Sequence, residues 1–131
     1  MDNIVKEILW DNSEKCPGYI VYRTRALDSS GDGMTFYWDK GKNRFTDDGF
    51  IIDTLSYPCE INESLYQRDA TEKRFAKLLN DIARKYFCNV NEELELVCDD
   101  PIEKGGLIEI IQAATAITAY VQTHDMEKEC K

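Results

Sequence analysis

Asp47 and Asp48, in the stretch KNRFTDDGFIIDTL over residues 42–55, form the most conspicuous chemistry-bearing pair in the chain. Together with Asp39 and Asp53 they could offer oxygen ligands to a hard cation such as magnesium or calcium. A metal-dependent enzyme using the Asp39, Asp47, Asp48 and Asp53 carboxylates is therefore one reading of the pattern. Two arguments oppose it. Adjacent carboxylates in a turn point apart, and no further ligands follow at calcium-loop spacing. Acid–base or nuclease chemistry needs carboxylates fixed on separate elements across a cleft. A structural assignment uses every residue. Thr46 ends a strand, and Asp47 or Asp48 caps the amides of the next helix. Gly49 can take a positive φ or allow close backbone approach. Phe50, Ile51, Ile52 and Leu55 supply that helix's buried side. The pair reads as a turn, and no catalytic residue, metal ligand or cofactor is assigned.

Other reactive groups are sparse. The one histidine, His124, lies in a polar segment and reads as exposed. Of the five cysteines, Cys88 and Cys98 sit on apolar faces and read as small core residues, while Cys16 and Cys59 lie beside prolines with no paired base. The odd count, the absence of CxxC and an N-terminus without signal-peptide character suggest free thiols in a reducing cytoplasm. GDG and KGG are too short for phosphate loops. The aromatics of TFYW could stack bases, but the strands around them lack a basic surround, so cross-strand packing explains them better.

The elements that must position these residues follow from periodicity. Ile4, Val5, Ile8 and Leu9 predict a short amphipathic helix over 2–10. YIVYRTRAL and MTFYWDK predict two strands, and GKN turns the second into a short third strand, RFT. A helix begins at Gly49 and stops at Pro58. A second helix over 69–87 puts Phe75, Leu78, Leu79, Ile82 and Tyr86 on one face. ELELVC predicts a fourth strand. Asp99 or Asp100 then caps a last helix with Pro101 in its first turn, running to about Gln122. A charged tail over 123–131 follows. The expected fold is a single α+β domain over 1–131, with a three- or four-stranded antiparallel sheet packed against two long helices.

Composition sets the class of partner. The net charge is −9, which disfavours a broad phosphate-binding surface and favours steering toward a basic one. Charge is also unevenly placed. Six basic and three acidic residues lie between Arg68 and Lys85, and six acidic residues with no basic one lie between Asn89 and Glu103. The two runs could be solvated faces that neutralise each other. Alternatively, Glu92, Glu93, Glu95, Asp99, Asp100 and Glu103 form a docking surface for a basic partner. In the last helix, Glu109 is the sole charge between Leu107 and Val121. Such a helix is buried on more than one side. A homodimer through 102–122, on the small residues Ala113, Thr115 and Ala116, is the alternative to a central core helix.

The stretch GDGMTFYWDKGKNRFTDDGFIIDTL resembles the signature of the "domain of unknown function 1828" family. RFAKLLNDIARKYFCNVNEELELVCD and EIIQAATAIT are similar to its later helix, strand and final helix. The resemblance covers about residues 18–122, and its TDDG segment is the most specific part. YFCNV departs from the family pattern, with no glycine where one is usual. The resemblance implies the α+β architecture and a bacterial or phage context, and it supplies no catalytic residues. The expected function is a small, acidic, non-enzymatic, cytoplasmic binding module. In this reading it is a phage- or prophage-encoded inhibitor docking on a basic host protein that processes nucleic acid or serves defence, without itself binding nucleic acid or membrane.

Overall fold

The structure, a computed structural model, describes residues 14–16, 18–55 and 65–130, with side chains from Gly18 in the N-terminal part and from Asp69 onward. The helix expected over 2–10 lies outside the described residues. Strands β1 (Glu14–Cys16), β2 (Tyr19–Leu27), β3 (Gly33–Asp39) and β4 (Arg44–Thr46) precede helices α1 (Phe50–Asp53) and α2 (Leu65–Arg84). Strands β5 (Asn89–Val90) and β6 (Leu96–Cys98), a 3-10 turn at Ile102–Lys104, and helices α3 (Gly106–Thr123) and α4 (Met126–Glu129) follow. The strands form one antiparallel sheet in the order β1-β2-β3-β4-β6-β5.

The α+β architecture is as expected, but among the described residues the sheet has six strands. The additional strands are short edges. β1 lies in a segment whose Pro17 and Gly18 read as a break, and β5 has only two residues, too few for an alternating pattern.

Alternation along β2, β3, β4 and β6 decides the core. Tyr22, Thr24, Met34, Phe36, Phe45, Leu96 and Cys98 point inward and are buried. Trp38 and Tyr22 meet the Phe45 ring edge-on, at centroid distances of 4.8 and 5.7 Å. Helix α3 packs on β2, β4, β6 and α2, with Leu107, Ile110, Ala113, Ala114 and Ile117 all fully buried. It is the central core helix. Ala113 belongs to the protomer's own core, while Thr115 is exposed and Ala116 half-buried, so these three do not share one open face.

Three local expectations change. Phe50 is 67% exposed, and only Ile51, Ile52 and Leu55 bury. Pro101 starts the 3-10 turn and not α3; the helix begins after Gly105, at φ 85°. A Cβ on Gly106 would stand 1.7 Å from the Asp100 carbonyl oxygen, so this close approach requires glycine. The segment expected as a charged tail folds back as α4. Asp125 caps it, Met126 and Cys130 are buried, and the Arg74 guanidinium donates to the Cys130 carbonyl.

Candidate functional site

The Asp47–Asp48 turn is built by opposed side chains. Asp47 is fully buried, and its Oδ1 accepts from the amides of Gly49 at 2.8 Å and Leu96 at 2.9 Å. Its Oδ2 accepts from the Ile51 amide at 3.1 Å. One carboxylate thus caps the entrance to α1 and ties it to β6. Burial pushes its pKa up to about 6 against the opposing pull of these three amides. Asp48 points the other way, is exposed, and holds a left-handed backbone at φ 56°. Asp53 is exposed on α1, and Asp39 accepts from the Gly41 and Lys42 amides. The four aspartates do not converge as a ligand set, and the capping role expected of Asp47 or Asp48 belongs to Asp47.

Asp39 and Asp48 do share a cleft of about 310 Å³, lined also by Gly18, Tyr19, Tyr37 and Thr46. By strand alternation Tyr19, Tyr37, Asp39 and Thr46 lie on the face opposite the buried Tyr22, Phe36 and Phe45. The Tyr19 and Tyr37 rings meet edge-on at 5.6 Å. Burial raises the Tyr37 phenol's pKa, and the Asp48 carboxylate adds to the rise. A chain of contacts holds the floor. The Asp48 amide donates to Thr46 Oγ1 at 3.0 Å, Thr46 donates to Glu95, and Glu95 pairs with Arg44 at 3.3 Å.

The six acidic candidates divide. Glu95 is committed to Thr46, Arg44 and Asn91. Glu92 and Glu93 are exposed in the β5–β6 loop, where Glu92 borders a groove of about 460 Å³ with Lys73 and Lys77 of α2. Asp69 and Glu72 of α2 line the same groove, so its walls carry both signs of charge. Asp99 and Glu103 are exposed and Asp100 half-buried beyond the opposite end of β6.

At that end stands a residue the sequence reading did not place in a site. Helix α2 closes with the Cys88 amide on the Ala83 carbonyl at 3.1 Å and the Phe87 amide on that of Arg84 at 3.3 Å. This is the Schellman pattern, which normally places glycine where Phe87 stands. Phe87 takes φ 62° and is 73% exposed. The missing glycine of YFCNV was the available signal. The β5–β6 register pairs Asn89 with Val97, and Phe87 precedes this ladder by two residues, at the Asp99 end of β6. The Phe87 carbonyl lies 3.7 Å from Cys98 Sγ, consistent with that placement. The β4–β6 register, continued by one residue, sets Asp99 beside Arg44, which pairs with Asp39, which pairs with Tyr19. Tyr19, Asp39 and Arg44 thus form a transverse row across β2, β3 and β4, which leads on past Asp99 at the end of β6 toward Phe87.

Behind the row, Cys98 Sγ, Asp100 and Glu109 are the one group among the described residues whose possible metal-donor atoms lie within 4.8 Å of one another. The Cys98 thiol donates to Glu109 at 3.3 Å, and the Asp100 carboxyl stands within 4.8 Å of the same group. Burial, then the neighbouring Asp100 carboxyl, raises the Glu109 pKa above the ordinary carboxylate value. A thiophilic divalent ion is the cation these donors would suit.

No family model, curated protein or solved structure matches the chain. Among the described residues, no helix is long and apolar enough to cross a membrane.

Proposed function

We propose that the protein is a small acidic binding module that docks on a basic partner through the Phe87 end of this row, with Asp99, Asp100 and Glu103 of the acidic run beyond the same end of β6. The observation that carries the reading is Phe87 itself. A bulky side chain held at a left-handed φ costs about 1–2 kcal/mol. Here that cost is not offset by burial, because the ring is 73% exposed. Backbone strain and an exposed aromatic are both features of contact sites. The carboxylates at this end of the sheet favour a cationic surface and speed its approach.

A protein with a nucleic-acid-binding groove carries such a surface, and carboxylates can compete for it. Inhibition of a nucleic-acid-processing or defence protein, in the phage or prophage context the resemblance implies, is the form of the proposal taken from the sequence. The test is capture from lysate of the host that carries the gene, after nuclease treatment. Wild type is compared with a Phe87→Ala, Asp99→Lys, Glu103→Lys variant and with a Glu92→Lys, Glu93→Lys control. A basic protein retained by wild type and control, but lost by the first variant, supports the reading. Equal retention by all three contradicts it.

A further inference from the structure

We propose that the cleft between Tyr19, Tyr37, Asp39 and Asp48 is a socket for a cationic side chain, arginine or lysine, of the basic partner. The inference rests on the module reading above and adds a second contact at the other end of the same row. Four observations converge on it.

The cleft, of about 310 Å³, is large enough for a guanidinium or ammonium head. Its walls are complementary to such a head: two phenol rings offer π faces or edges, and two carboxylates offer charge. Among the described residues, none of those lining it is basic. Arg23, which acts on Tyr37 electrostatically, is not among them.

The acceptors are also free to act. Asp39 spends Oδ1 on both of its turn amides, which leaves Oδ2. The Asp48 carboxylate accepts no hydrogen bond among the described residues, while its backbone is anchored through Thr46 to Glu95 and Arg44. The socket is therefore set before binding, which lowers the ordering cost of taking up a side chain.

Finally, the cleft continues the Phe87 surface. Asp39 and Asp99 flank Arg44, and Arg44 is already neutralised by Glu95. Asp39 and Asp99 stand two strand spacings apart, about 10 Å. A single extended basic segment of the partner reaches both ends of the row.

The experiment is a titration of the isotopically labelled full chain, followed by amide and side-chain NMR. The probe is N-acetyl-arginine amide, and N-acetyl-citrulline amide is its uncharged counterpart. The expected result is saturable shifts centred on Gly18, Tyr19, Tyr37 and Asp48, with at least tenfold weaker binding of the citrulline probe. Asp48→Asn should weaken the arginine probe at least tenfold as well. Asparagine adopts the left-handed backbone as readily as aspartate, so this variant keeps the turn. Tyr19→Ser, at a 41% exposed position, is a second variant expected to lose binding without loss of fold. Equal binding of both probes, or shifts spread without saturation over the acidic surface, would overturn the socket. Loss of the socket with capture through Phe87 intact leaves the module standing. Loss of that capture with probe binding intact removes the module and leaves the socket.

Discussion

The Asp47 carboxylate accepts a hydrogen bond from the Leu96 amide at 2.9 Å, across 49 positions of sequence. The same oxygen accepts from Gly49, and the Asp47 amide donates to the Leu96 carbonyl at 3.1 Å. One side chain thus joins the turn after β4 to the start of β6, and fixes where Asp48 faces. Asp47→Ala leaves the Gly49, Ile51 and Leu96 amides without this acceptor. An unsatisfied buried donor costs ~1–3 kcal/mol, so a loss of about 3 kcal/mol is expected in urea unfolding. A loss under 1 kcal/mol would remove Asp47 from this role.

The same carboxyl predicts a pH dependence with a defined sign. Its folded pKa, about 6, lies above the ordinary 3.8, so the native state binds the proton more tightly than the unfolded chain. This contribution to stability is fully present below about 3.8 and is lost as pH rises through about 6. The difference corresponds to about 3 kcal/mol at most. Wild type should lose stability relative to Asp47→Asn between these values, measured by urea unfolding at stepped pH. A flat difference would contradict it.

The glycine that Phe87 displaces gives a prediction in the opposite direction. Phe87→Gly removes the left-handed strain at little cost in burial, so the variant should be more stable by about 1 kcal/mol. Thermal unfolding checks this, and an unchanged or lower Tm would mean that the residue is not strained.

Cys88, Cys98 and Cys130 are each no more than 1% exposed. Hydrogen bonding with Cys98, then burial, holds the Cys88 thiol well above the ordinary range. Alkylation of the native protein at neutral pH, read by peptide mass spectrometry, should leave these three unmodified until unfolding. Rapid native labelling of Cys88 or Cys98 would contradict the packing described.

What the sequence made legible was local. β2 and the turn at Asp47–Gly49 followed from alternation and capping chemistry, which act over a few residues. Three features were not legible, each because a distant contact creates it. Asp47 bonds Leu96 only once β4 and β6 are neighbours. Asp100 meets Glu109 because Gly105 and Gly106 permit a turn tighter than the Pro101 start allowed. The acidic run separates because β6 puts Glu92 and Glu93 at one end and Asp99 and Glu103 at the other. Phe87 was visible as a departure from pattern, but its exposure belongs to the fold. Likewise, Met126 and Cys130 are spaced four apart among charges, too sparse a signal to predict that α4 buries them.

The central claim is most directly tested on the captured partner, by calorimetric titration at low and moderate salt with wild type and with Phe87→Gly. The account predicts that wild-type affinity falls as salt rises, and that Phe87→Gly binds at least tenfold more weakly although it is the more stable protein. A Phe87→Gly variant that binds as tightly as wild type would contradict it.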